Sequence, residues 1–115
     1  MNELAERLFE FAAQTIKYVR TLPTTTEYKV IRYQLIKSST SAGANYEEAQ
    51  AGSSRADFSH KTSIALREMR EANYWLRMVK KVSIEQHENQ TLTALISESA
   101  QLKNILGKIV AKTKS

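Results

Sequence analysis

The sequence has no cysteine. That absence excludes a disulfide framework, thiolate-ligated zinc, iron–sulfur clusters and thiol nucleophiles, and it suits a reducing cytoplasm, the expected location. Proline occurs once, at Pro23, and glycine three times, at Gly43, Gly52 and Gly107. So few breakers leave room for long helices, and three isolated glycines cannot form a phosphate-cradling loop. No stretch approaches the roughly 20 apolar residues of a membrane span, and the opening Met1-Asn2-Glu3-Leu4-Ala5-Glu6-Arg7 is acidic where a secretory signal is basic. No membrane partner and no export are expected. The β-branched residues never alternate with polar ones over a useful length, so strands are not expected either.

What is present is a helical pattern. The chain has 115 residues, 42% of them hydrophobic, enough for one domain over residues 1–115 with a core that needs no metal. Apolar and small residues recur three and four apart in four segments: Leu4, Leu8, Phe11, Thr15 and Val19; Ile31, Leu35, Ser38, Ala42, Asn45 and Ala49; Phe58, Thr62, Ala65, Met69, Ala72, Leu76 and Val79; Leu92, Leu95, Ser99, Leu102, Leu106 and Ile109. After Pro23, the run Thr24-Thr25-Thr26-Glu27 offers a capping box, and Gly52-Ser53-Ser54-Arg55-Ala56-Asp57 offers a glycine exit and a serine cap. Ser83-Ile84-Glu85-Gln86 repeats the capping pattern more weakly, whereas Asn89-Gln90-Thr91 reads only as a chance glycosylation triplet. Connections this short force antiparallel neighbours. The expected fold is all-α, an antiparallel up-down-up-down four-helix bundle with helices at about 3–22, 26–52, 55–82 and 87–112.

Two polar rows interrupt the stripes. The second segment carries Gln34, Ser38, Ser41, Asn45, Glu48 and Gly52, and the third sets Glu68 and Glu71 in line with Ile64, Trp75, Met78 and Val82. An unpaired buried carboxylate costs several kcal/mol, so these glutamates need partners. A turn near Ser53 brings Glu68 and Glu71 opposite Ser38 and Ser39, and the set is expected to fix helix register and subunit contacts.

The segments Ser41-Ala42-Gly43-Ala44-Asn45-Tyr46-Glu47-Glu48-Ala49 and Ile64-Ala65-Leu66-Arg67-Glu68-Met69-Arg70-Glu71-Ala72-Asn73-Tyr74-Trp75-Leu76 resemble the four helix bundle protein family. That family includes proteins encoded in intervening sequences of bacterial 23S ribosomal RNA genes and the accessory variability determinant of diversity-generating retroelements. The resemblance extends over essentially the whole chain. It implies an up-down bundle assembled as a cyclic homopentamer with no known enzymatic activity, with Asn45, Glu48, Glu68 and Glu71 in the family's polar positions. Ala49 departs from the pattern, since many members have glycine there.

Seventeen Lys and Arg against twelve Asp and Glu leave a net charge of +5. In an up-down bundle the end of the first helix, the start of the second and the end of the third share a pole, which is expected to gather Lys17, Arg20, Lys29, Arg32, Lys37, Arg77, Lys80 and Lys81, diluted by Glu27 and the Glu85/Glu88 pair. Some of these complement helix C-termini, but Lys29 and Arg32 lie near a helix start. Ring assembly would repeat this patch and give salt-sensitive phosphate binding, with Tyr18, Tyr28 and Tyr33 nearby as stacking candidates or core residues. The other pole mixes Glu3, Glu6 and Glu10 with Lys103, Lys108, Lys112 and Lys114 and reads as near neutral.

Catalytic and metal-binding patterns are not found. A di-iron bundle needs Glu-x-x-His on two helices, and the nearest approach is Asp57-Phe58-Ser59-His60, once; His60 and His87 are expected to be exposed or capping. No serine sits in a nucleophile elbow. No cofactor, metal or catalytic residue is expected. The function read from the sequence is an oligomeric scaffold that binds itself and, through its basic pole, RNA, DNA or a nucleic-acid-processing protein. The rival is a purely protein-binding or structural oligomer.

Overall fold

The computed structural model describes residues 2–52, 54–84 and 89–114. Four helices follow one another: α1 (Glu3–Val19), α2 (Thr26–Gln50), α3 (Arg55–Val82) and α4 (Gln90–Lys114). They form a bundle of 47 × 23 × 22 Å in which α2 packs on α3, α3 on α4, and α1 on α2 and more sparingly on α4, while among the described residues the backbones of the diagonal pairs, α1 with α3 and α2 with α4, do not come close. At 1.5 Å per residue the 28 residues of α3 span about 42 Å, nearly the whole long axis. Antiparallel neighbours are evident where Asn2 meets Tyr46 and Gln50, and where Ser59 meets Thr113.

The core is the expected stripe with local substitutions. Leu8, Leu35, Met69, Leu76, Leu102 and Leu106 are fully enclosed, and Trp75 and Met78 pack against the cluster from its edge. Tyr46 fills the place expected for Asn45, and Val110 goes deeper than Ile109. At Gly43, buried in α2, an added Cβ would lie 3.6 Å from the Leu8 backbone carbonyl carbon, so α1 approaches α2 closely there.

The helix ends correct several expectations. α1 stops at Val19 rather than 22 because the Thr21 amide and hydroxyl both bond back to the Tyr18 carbonyl, at 2.9 and 2.7 Å. Asn2 caps α1 through Oδ1, accepting from the Ala5 amide at 2.7 Å, while its Nδ2 donates to Tyr46 and Gln50 of α2. Thr25 stands at the N-cap of α2 without a side-chain capping bond; it bonds to the exposed Glu27 carboxylate instead, and this with Glu27's own amide holds that carboxyl below its ordinary range. Gly52 ends nothing by a left-handed turn, since no described residue has positive φ; Ala51 closes α2 in a right-handed conformation. Ser54 caps α3, accepting from the Asp57 amide at 3.0 Å. Asn89, not Ser83, caps α4, accepting from the Leu92 amide at 2.9 Å, while Ser83 closes α3. The start expected at residue 87 and the residues Ser53, Glu85 and Gln86 lie outside the described residues.

Thr15 is a polar residue at the centre of the α1 stripe, wholly buried, and its hydroxyl has no hydrogen-bond partner among the described residues. Leaving a buried hydroxyl unmatched costs about 1–3 kcal/mol. The near-isosteric Thr15→Val change removes that cost and keeps the methyl packing. The variant is expected to gain about 1 kcal/mol in chemical denaturation, with an unchanged denaturant slope.

Candidate functional site

The polar rows of α2 and α3 resolve into separate local arrangements. Ser38 and Ser39 are buried but bond to carbonyls of their own helix, Ser38 to Gln34 at 2.8 Å and Ser39 to Ile36 at 3.3 Å. Neither hydroxyl reaches Glu68 or Glu71, contrary to the expected cross-helix pairing, because a helical serine finds a carbonyl one turn back at no cost in reach. Asn45 donates to the Ser41 carbonyl at 2.9 Å and hydroxyl at 3.1 Å. Glu48 and Glu71 are exposed. Among the described glutamates Glu68 alone is buried, at 8% exposure.

Burial raises the Glu68 carboxyl above its ordinary value of 4.5, and the like charge of Glu71 with a proton shared between the two raises it further, against the opposing pull of Lys37 and Arg67. Lys37 thus belongs to the α2–α3 contact near mid-helix rather than to a pole. The pair is one acid held by burial and one exposed acid.

The cation set divides in three. Lys17 and Arg20 end α1, Lys29 and Arg32 start α2, and Lys80 and Lys81 end α3, all exposed except the half-buried Arg32, which donates to the Pro23 carbonyl. Lys37 stands apart beside Glu68. Arg77 instead lines a groove of about 780 Å³ between α3 and α4, together with Arg70, Lys103 and Lys108. The sequence reading left Arg70 unassigned and gave Lys103 and Lys108 to a near-neutral pole. Of the α1 acids expected to balance them, none lines the groove, and the one acid of α4, Glu98, forms a two-bond pair with Arg7 on the α1 side at 2.7 and 3.1 Å. The signal available in the sequence was the seven-residue interval from Arg70 to Arg77, two helical turns on one face, but it meant little without the register of α4.

That register is set by a buried polar chain. Asn73, 5% exposed, donates to the Ser99 hydroxyl at 2.9 Å, and Ser99 donates in turn to the Ile96 carbonyl at 2.9 Å. The Asn73 carbonyl oxygen accepts from Arg77 Nε at 2.9 Å. Arg77 also lies 5.9 Å from the Tyr74 ring centroid, and Tyr74 meets Trp75 edge-on at 5.1 Å. Of the stacking candidates, Tyr18 and Tyr28 are core residues and Tyr33 is exposed.

A second groove of about 510 Å³ lies between α1 and α4 around Phe11 and Leu95, crossed by the Arg7–Glu98 pair. Among the described residues no group of three or more metal-ligating side chains occurs, and no helix is long and apolar enough to cross a membrane. His60 is exposed, and His87 lies outside the described residues.

Because Glu68 binds its proton more tightly in the folded chain, the associated stability is complete below the ordinary value of 4.5 and is lost as the pH rises through the raised folded value. Glu68→Gln, permanently neutral and of the same shape, is expected to melt at a higher temperature than the parent at neutral pH. Below pH 4.5 the two are expected to converge, as thermal melts followed across pH will read out.

The sequence model of the 23S rRNA-intervening sequence protein family matches residues 2–108. No curated protein matches the chain. A crystal structure from Bacteroides thetaiotaomicron VPI-5482, described as a protein of unknown function from the S23 ribosomal protein family, superposes with a TM-score of 0.81 at 30% identity, covering 93% of this chain and 97% of that one. With nearly its whole length matched, the chain belongs to the 23S rRNA-intervening sequence protein family.

Proposed function

We propose that the protein is a non-enzymatic, cytoplasmic scaffold of identical chains, five by the family resemblance, that contacts RNA, DNA or a nucleic-acid-processing protein through a cation-rich surface. The observation that carries this reading is the pole made by the end of α1, the start of α2 and the end of α3, where Lys17, Arg20, Lys29, Arg32, Lys80 and Lys81 meet solvent. Cations so concentrated attract phosphate, and a ring repeats the patch so that weak contacts add to an avid one. Self-assembly draws support from apolar side chains left on the outside of α2, Val30 at 52%, Tyr33 at 65% and Ile36 at 36% exposure. The same side chains favour the second reading, a structural or protein-binding oligomer whose charges serve solubility alone.

Light scattering combined with titration of labelled RNA and DNA oligonucleotides separates these readings. The expected result is a particle of five chains at low and moderate salt, with oligonucleotide affinity falling at least about tenfold between the two conditions. A stable monomer contradicts the scaffold. A five-chain particle without oligonucleotide binding leaves the purely structural reading in its place.

A further inference from the structure

We infer that the α3–α4 groove is a binding track for the phosphates of an unpaired nucleic-acid strand, separate from the pole and continuous with it. The inference rests on the nucleic-acid reading above and gives it a residue-level site.

Four cations line the groove, and none of its lining residues is acidic. Arg70, Lys103 and Lys108 form no ion pair among the described residues, although Arg7 and Lys61 elsewhere do. The pairing of Ser59 with Thr113 and of Asn73 with Ser99 sets Arg70 level with Lys103, Lys108 below them and Arg77 above. The four charges are thus strung over roughly 20 Å of bundle axis, a row suited to a chain of phosphates rather than to one anion. Lys81, four residues beyond Arg77 on the same face of α3, carries the row to the pole.

Arg77 is held ready for this task. Its Nε is occupied by the buried Asn73, itself tied to Ser99, and this fixes the plane of the guanidinium while leaving its terminal nitrogens for an oxygen pair. Asn73 is accordingly a positioning residue.

Gly107 supplies an independent argument. Glycine weakens the interior of a helix relative to alanine, and a buried glycine is explained when a neighbouring backbone occupies the space of its Cβ. At Gly107 an added Cβ would meet nothing within 4 Å, and the residue lines the groove. A side chain at this position would enter the groove without displacing any part of the chain. Tyr74 decides the class of ligand. It follows Arg70 by one turn, is 46% exposed, and its ring centroid lies 5.9 Å from the guanidinium of Arg77, which lines the groove; it can stack on a base only if that base is unpaired. The carboxylates of an acidic polymer such as polyglutamate would meet the cations but offer no flat face to that ring.

The test uses the full chain, fluorescence anisotropy and a labelled oligo-dT probe, with duplex DNA and polyglutamate as competitors. The groove variant Arg70→Gln/Lys103→Gln/Lys108→Gln is expected to lose at least tenfold in affinity at low salt, and its log–log salt slope is expected to fall by about two. The pole variant Lys17→Gln/Lys29→Gln/Lys80→Gln removes the same charge and is expected to lose less. Gly107→Leu keeps every charge and fills the groove; weaker binding with unchanged oligomer mass and no loss of thermal stability is expected. Tyr74→Leu is expected to weaken oligo-dT but not duplex binding. Full affinity in the groove variant with loss in the pole variant overturns the groove while the function proposed above stands. No oligo-dT binding by the parent chain overturns the groove, and the nucleic-acid reading above falls with it only if the RNA and DNA oligonucleotides also fail to bind. Equal displacement by polyglutamate, or a Gly107→Leu chain that binds normally or loses its oligomeric state, overturns the assignment of the groove to a nucleic-acid strand.

Discussion

The structure depends first on how closely α2 lies against α3. This is the most extensive helix contact in the bundle, and residues as small as Ser38, Ser39, Ala42, Ala65 and Ala72 are among those buried along the two helices. Small side chains bring helix backbones together, and the dispersion gained over a long contact replaces the bulk that leucines would have supplied. The serine hydroxyls do not spoil this, because each returns its proton to a carbonyl of its own helix. One consequence is Glu68, caught at the seam with Lys37 and Glu71 as its charged neighbours. A carboxylate in that position tolerates few alternative registers, since a slip along the helix changes which charges it meets.

With α2 and α3 in place, the other two helices are set by fewer, more specific contacts. Asn2 both caps α1 and bonds to α2, and Arg7 clamps Glu98 of α4. On the far side, the Arg77–Asn73–Ser99 chain fixes α4 against α3. The same bonds that set the register of the last helix therefore orient a surface arginine. Structure and candidate site share one device there, and this is how a helical bundle can present charge in a defined geometry.

How much of this could be read beforehand followed from the range of each interaction. The helix stripes and the serine cap of α3 are local, and Leu8, Leu35, Met69, Leu76, Leu102 and Leu106 are buried as their spacing demands. Gly52 and Asn89 show the limit of local rules. A glycine after a helix need not turn left-handed when the chain can close in a right-handed turn at Ala51, and Asn89 caps α4 although its triplet first reads as a chance glycosylation signal. The groove was illegible for a stronger reason. Arg70 and Lys103 are far apart in sequence, and their alignment follows from the α3–α4 register, which the buried Asn73 and Ser99 set; periodicity treats Ser99 as one more core position. Poles can be inferred from helix order alone, whereas a groove between helices needs the offset of one against the other.

The claim that most needs testing is that the α3–α4 groove, with Arg77 oriented by Asn73, receives the nucleic-acid strand. Hydrogen–deuterium exchange of the full chain with and without saturating oligo-dT addresses it at the residue level. The account predicts slower exchange in segments 66–77 and 103–111, which line the groove and lie centrally in α3 and toward the end of α4. Slower exchange confined to the end of α1 and the start of α2, with the groove segments unchanged, would contradict it.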